Sequence, residues 1–352
     1  MQKETVLELK PAAGNPRNSE GAFLRLADGG ILFAYSRYSG EGAEWEDDSP
    51  CDIAARNSRD GGATWSGRDR ILIPRGDAMN VMSVSLLRIS PERIMMLYLR
   101  KSHDPQNRVE CRPFVTFSED EGESWETPRA LTSVGGYFVV NNDRLLQLEQ
   151  GRIIIPCAWH RPTENGHDSR AIGLFLLSDD GGRTFREAAD WVLPPQSSAS
   201  GVQEPGVVEL APGKLLAFFR TDQGYQMTSV SDDAGEHWSS VKPSNFISPL
   251  SPMTLKRDPF GGQLWAVWND RSGRWNLPKP EESSWQRTPL TLGIGGKPDP
   301  ESMELSLLEN DPRCGYCYVA LHFEPEYVLL ACCCGGNGTI VLQPTRIIRL
   351  KR

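Results

Sequence analysis

Two patterns of apolar and polar positions alternate along the chain. One is a run of consecutive apolar residues entered from a turn rich in Gly or Pro. It occurs at 31–35, 93–99, 152–157, 214–219, 263–268 and 327–332, six runs at about one per 60 residues. Near-continuous apolar runs of this length suit strands covered on both faces. The other pattern is a polar octet, Ser-x-Asp-x-Gly-x-(Thr/Ser/His)-(Trp/Phe), opening at Ser58, Ser118, Ser178 and Ser231 with spacings of 60, 60 and 53 residues. Each octet follows a shorter strand-like segment, at 51–55, 113–117, 171–177 and 226–230.

The octet's residues suit a tight turn. Ser and Asp side chains bond nearby backbone N–H groups. Gly supplies a left-handed backbone position, and the closing aromatic covers the turn. The octet is therefore expected to be the hairpin between two strands of one repeat. A fifth copy is degenerate near Gly295 to Asp299, and the sixth unit shows none. Six units, each long enough for four strands, predict an all-β chain: a six-bladed β-propeller of four-stranded antiparallel blades, in a single domain over residues 1–352.

Composition narrows the partners. The 33 glycines and 26 prolines fit a turn-rich chain without long helices. A formal net charge of −8 disfavours nucleic acid as a partner. There is no run of 18 apolar residues, hence no expected membrane span. The first residues, Met1-Gln2-Lys3-Glu4-Thr5-Val6, contain no apolar leader core. That reads as cytoplasmic, or as secreted or periplasmic if a leader has been removed. Eight cysteines do not form a disulfide framework. Cys314 and Cys317 have metal-like spacing beside Cys332-Cys333-Cys334, but thiols in strands are commonly plain buried residues. Neither a metal nor a cofactor is expected.

The octets resemble the Asp boxes of the sialidase (neuraminidase) superfamily, and further segments extend the resemblance over nearly the whole chain. Pro16-Arg17-Asn18 and the strand ending at Arg37 are similar to the superfamily's opening Arg-Ile-Pro motif and its Asp-x-Arg strand. The resemblance makes Arg17 the first of three arginines that bind the substrate carboxylate, with Arg37 at the strand end. In the acidic loop 44–50 (Glu44-Trp45-Glu46-Asp47-Asp48-Ser49-Pro50), Asp47 matches the general acid/base best, and Asp48 is its neighbour. Residues 150–160 resemble the Gly-Arg-Leu-x-x-Pro strand, which carries Trp159 and His160 to the pocket rim. Gln203-Glu204-Pro205-Gly206, followed by a strand ending at Arg220, matches the segment that supplies the glutamate partner of the nucleophile and the second arginine. Arg287 is taken as the third arginine, with Arg271 and Arg274 as rivals. Tyr316, in Cys314-Gly315-Tyr316-Cys317-Tyr318, matches the nucleophilic tyrosine, with Tyr318 two residues on and on the same strand face. The chain departs from the pattern at 330–333, Leu-Ala-Cys-Cys, where the superfamily has a glutamate that steadies the first arginine.

These residue types suit one reaction. Guanidinium forks bind a carboxylate bidentately. A carboxylate nucleophile would be repelled by an acidic sugar, whereas a neutral tyrosine is not, although its ordinary pKa near 10 calls for a base such as Glu204. The resemblance thus implies a retaining exo-sialidase-like glycoside hydrolase acting through a tyrosine, on a glycan or sialoglycoconjugate. The alternatives are a glycosidase of the same fold for another sugar, and a non-catalytic carbohydrate-binding propeller.

Overall fold

A computed structural model describes residues 2–40, 46–164 and 166–352. The described chain is almost entirely strand and turn; its helical segments are two short 3-10 turns, Glu282–Ser284 and Pro300–Ser302. Three sheets are four-stranded and antiparallel. One runs Gln203–Ala211, Lys214–Arg220, Tyr225–Ser231, Lys242–Ile247, and another Thr254–Arg257, Leu264–Asn269, Leu290–Gly295, Glu304–Glu309. The third joins the ends of the chain: Lys3–Leu9 pairs with Thr345–Lys351, beside Tyr327–Cys333 and Cys317–Phe323. The remaining large sheet of 13 strands consists of antiparallel groups linked by single parallel bridges, Cys51 with Asn80 and Cys111 with Tyr137. The arrangement is all-β and consistent with a β-propeller.

The predicted apolar runs lie in the second strand of each group: Ile31–Tyr38, Arg93–His103, Ile153–His160, Lys214–Arg220, Leu264–Asn269 and Tyr327–Cys333. Their side chains are almost wholly buried, as in Ile31-Leu32-Phe33-Ala34-Tyr35, which lies at 0% exposure. Neighbouring strands pair on both edges and neighbouring sheets cover both faces, so no polar alternation survives.

The octets are hairpin turns. The Ser58 hydroxyl donates to Asp60 Oδ1 at 2.8 Å and accepts from Gly62 N at 2.8 Å, while Thr64 N donates to Asp60 Oδ1 at 2.9 Å. The network repeats around Ser118, Ser178 and Ser231. The side-chain and backbone bonds from Thr64 hold the Asp60 carboxyl at about 2, below its ordinary value. The second, third and fourth octets also lean on the preceding group of strands. Gly122 approaches Leu32, Gly182 approaches Phe117 and Met95, and Gly235 approaches Ile154. The first octet meets the last sheet, with Gly62 against Leu329 and Gly61 against Tyr327.

A second recurring feature positions the site. The first strand of four groups carries a bulge, at Ser19/Ala22, Met82/Ser85, Gln203/Gly206 and Cys317/Ala320. Inside each bulge one residue is left-handed: Glu20 (φ 55°), Ser83 (φ 57°), Glu204 (φ 44°) and Tyr318 (φ 56°). A bulge re-aims a side chain that regular pleating would direct into a sheet face.

Gly62 has φ 79°, and a Cβ there would lie 2.6 Å from Leu329 Cδ1. Gly62→Ala is expected to cost about 2 kcal/mol in urea unfolding. Gly67→Ala, where a Cβ meets nothing within 4 Å, is expected to stay within about 0.5 kcal/mol of wild type.

Candidate active site

The four bulge residues converge on one pocket of about 490 Å³. Its wall also includes Arg17, Asp47, Lys101, Arg220 and Arg287. Tyr318 lies opposite Glu204: its hydroxyl donates to Glu204 Oε1 at 3.1 Å. Arg220 Nη1 is 2.9 Å from the other carboxylate oxygen, Glu204 Oε2. The Arg287 guanidinium lies 5.6 Å from the Tyr318 ring centre and donates to Cys317 Sγ at 3.0 Å. Burial, with the nearby Glu204 carboxylate, raises the Tyr318 phenol well above its ordinary pKa against the opposing pull of Arg220 and Arg287. The hydroxyl is therefore neutral in the resting pocket and needs a base to ionise.

Across the pocket stands Arg17, fully buried and bound on three sides. Its Nε donates to Ser19 Oγ at 3.0 Å, Nη2 to Glu20 Oε1 at 3.1 Å and Nη1 to Asp47 Oδ1 at 2.6 Å. The two carboxyls on this one guanidinium are driven apart. Glu20 is pushed up to about 7, first by burial and then by the Asp47 charge, against the lowering effect of Arg17 and of the Ser83 hydrogen bond. Asp47, with a side chain 55% exposed, is held near 2, because Arg17 and Lys101 outweigh the upward effect of desolvation. Lys101 is buried and fixes the acidic loop, donating to the Asp47 carbonyl at 2.9 Å and to Asp48 Oδ1 at 3.1 Å. His160 and His167 complete that side. Desolvation lowers both imidazoles, His167 to about 4.

Several sequence expectations meet this geometry: Arg17, Asp47, Glu204, Arg220 and Arg287 all line the pocket. Tyr316 does not. It precedes the strand, its amide donates to Arg287 O at 2.8 Å, and its ring is buried among Trp265, Leu290, Leu308 and Cys332. The hydroxyl facing Glu204 belongs to Tyr318, because the bulge turns that residue out of the sheet face it would otherwise share with Tyr316. Arg37 is also outside the pocket. Side chains alternate along a strand: Ser36 Oγ accepts from Ser83 N at 3.0 Å, while Arg37 takes the other face and pairs with Asp69 at 2.9 Å. Alternation likewise leaves Trp159 packed against the core while His160 reaches the pocket. Asp48 points to Lys101 rather than inward. Of the rival arginines, Arg274 pairs with Asp270 at 2.8 Å and Arg271 borders a separate surface pocket. Glu44 and Trp45 of the acidic loop lie outside the described residues.

Sequence reasoning missed Glu20, Ser83 and Lys101. One signal for Glu20 was present: Glu20-Gly21 and Glu204-Pro205-Gly206 both place Gly just after a Glu at the start of an apolar strand. In both, the glycine makes room for an aromatic ring, since a Cβ would come within 2.3 Å of Phe33 and 2.1 Å of Phe218. Residues 330–333 supply no glutamate to Arg17, and Glu20 pairs with it from three residues away.

The model of the BNR repeat-like domain family matches residues 41–329, and the chain belongs to this family. Solved structures agree in fold. A protein of unknown function from Dyadobacter fermentans superposes with a TM-score of 0.76 at 18% identity, over 99% of each chain. The NanB sialidase of Streptococcus pneumoniae gives 0.71 at 15% identity, over 99% of this chain and 70% of its own. The intramolecular trans-sialidase of Ruminococcus gnavus, in complex with oseltamivir carboxylate, gives 0.71 at 14% identity, over 98% and 96%. Curated proteins yield no match by sequence. Among the described residues, no helix is long and apolar enough to cross a membrane.

Removing the Arg17 charge would leave the buried Glu20 without its partner. Arg17→Met is expected to cost about 3–5 kcal/mol in denaturant unfolding. Adding Glu20→Gln is expected to recover part of that loss, and strictly additive effects would contradict the coupling.

Proposed function

We propose that the protein is a retaining exo-glycosidase that removes terminal sialic acid, or a related acidic sugar, from a glycan. Its scaffold in this reading is a six-bladed propeller of four-stranded antiparallel blades in one domain, closed by the first octet against the last sheet. The observation that carries the reading is the Tyr318–Glu204 hydrogen bond at 3.1 Å in a pocket that also holds Arg17, Arg220 and Arg287. A binding module has no use for a phenol held against a carboxylate between two arginines.

In the proposed reaction the substrate carboxylate is gripped by the arginines. Tyr318 attacks the anomeric carbon as Glu204 takes its proton, and the glycosidic oxygen leaves with a proton from Asp47. Water, activated by Asp47, then breaks the tyrosyl–sugar bond and the phenol recovers its proton from Glu204. In the resting pocket Asp47 is a poor acid because Arg17 holds its carboxyl near 2. A substrate carboxylate that takes over the Arg17 donor releases Asp47 and raises its proton affinity. Substrate binding thereby arms the acid.

A second reading, the same chemistry on a sugar without a carboxylate, is favoured by one observation: Glu20 already occupies an Arg17 donor. Release of a fluorescent aglycone from an α-sialoside, beside a panel of other glycosides, separates the two.

Tyr318→Phe is expected to lower kcat by about 10³-fold or more while ligand binding stays within about threefold. Tyr316→Phe should remain within about twofold of wild type in the same assay. Equal activity of the two variants would remove the tyrosine mechanism. Arg220→Ala is expected to raise KM for an anionic glycoside at least about tenfold, and an unchanged KM would exclude it from carboxylate binding.

A further inference from the structure

Among the described residues that line it, the pocket's charges are balanced before any substrate arrives. Four cations, Arg17, Lys101, Arg220 and Arg287, face four carboxyls, Glu20, Glu46, Asp47 and Glu204. Both imidazoles are lowered by burial and add no charge at neutral pH. An acidic sugar brings a fifth negative charge to a pocket with four positive ones. Excess negative charge in a desolvated pocket is relieved most cheaply by binding a proton.

The position of Glu20 singles it out for that proton. Its side chain is only 4% exposed, so its charge is poorly hydrated. One oxygen shares Arg17 with Asp47, and the other accepts a single hydroxyl bond, from Ser83 Oγ at 2.6 Å. Asp47 and Glu204 add like charge from the facing loop and strand, and the other titratable groups that interact with it, Tyr318, Tyr38, Cys51, Cys111 and Cys333, bring no positive charge. The backbone at Glu20 is left-handed, with φ 55°, a conformation a glutamate adopts only where its surroundings impose it.

We propose that Glu20 is the specificity-determining residue of this pocket: the site accepts a negatively charged sugar together with one proton, and Glu20 holds that proton. This rests on the acidic-sugar reading above and adds the reason that an apparently occupied Arg17 still serves it. A protonated Glu20 no longer competes for Arg17 as an anion, and its donor turns toward a neighbouring oxygen. With Glu20 ionised, the same pocket favours an uncharged sugar. The carboxyl's raised value of about 7 agrees in direction. Glu20 is thus protonated below about 7, where acidic ligands bind, and that binding is lost as pH rises through this range.

The test is calorimetry with the 2,3-dehydro analogue of N-acetylneuraminic acid and with its uncharged methyl ester. For the wild type the acid's Kd is expected to rise about tenfold per pH unit above pH of about 7, with heat that varies with the buffer's ionisation enthalpy as uptake of one proton requires. The ester should show neither effect. Glu20→Gln keeps the side chain's size and should abolish both the slope and the buffer dependence. Ser83→Ala removes a bond that favours the charged form and should move the midpoint upward. A slope that persists unchanged in Glu20→Gln overturns the proposal while leaving the acidic-sugar reading intact. Binding by Glu20→Gln but not by wild type supports the proposal. If neither protein binds the acid, the acidic-sugar reading falls. Infrared difference spectra of wild type against Glu20→Gln then decide the proton separately: a protonated-carboxyl band lost through pH of about 7 upholds Glu20 as its holder, and no such band overturns it.

Discussion

The left-handed bulge in the first strand of four groups is the constraint on which the site depends. A strand with regular alternation would send Glu20, Ser83, Glu204 and Tyr318 into one sheet face or the other. The extra residue in each bulge directs them to a common pocket instead. Left-handed backbone at non-glycine residues is costly. The buried second strands offset that cost, and the small neighbours Gly21 and Gly206 let Phe33 and Phe218 pack beneath two of the bulges. Rigidity of the scaffold and strain at the site are therefore two sides of one arrangement.

Electrostatics on this framework are set by sharing. Arg17 serves Glu20 and Asp47, Arg220 serves Glu204, and Arg287 leans on the Cys317 sulfur. Unpaired arginines in so closed a space would be expensive, and paired ones must exchange partners to take a ligand. In the proposed function the pocket is thus a set of replaceable ion pairs in which proton affinity changes with occupancy. Asp47 and Glu20, on the same guanidinium, stand at opposite ends of that response, one held near 2 and the other near 7. Their environments decide this difference: Asp47 is held by Lys101 as well as Arg17, whereas Glu20 is buried and repelled by the Asp47 charge.

The octets serve the pocket from a distance. Each fastens a hairpin through Ser and Asp side chains and seats its glycine on the sheet before it, with the first seated on the last. The terminal strands add backbone pairing to the same junction, as Lys3–Leu9 lies against Thr345–Lys351. Groups far apart in sequence, such as Glu20 and Tyr318, are brought to one pocket because neighbouring sheets are fixed to one another in this way.

Much of this was written locally in the chain. The octets announce their turns because Ser, Asp and Gly act within eight residues, and the second strands announce burial because every consecutive residue is apolar. Arg17, Glu204, Arg220 and Arg287, which line the pocket, were singled out through the family resemblance of the segments that carry them. Which face each side chain takes was not. Tyr316 and Tyr318 are two apart and look equivalent to a period of two; the bulge after Cys317 separates them, leaving one in the core and the other against Glu204. Arg37 and Trp159 were displaced by the same alternation, one residue out of phase with Ser36 and His160. Glu20 and Lys101 gain their meaning only from partners 27 and 54 residues away or on other strands: Lys101 from the Asp47 carbonyl, Glu20 from Asp47 through their shared Arg17. The sequence by itself determined the turns, the strands and the stock of charges. Only the tertiary structure decided which charges meet, because a bulge shifts the facing of a strand by one residue and ion pairing is a property of distance in space.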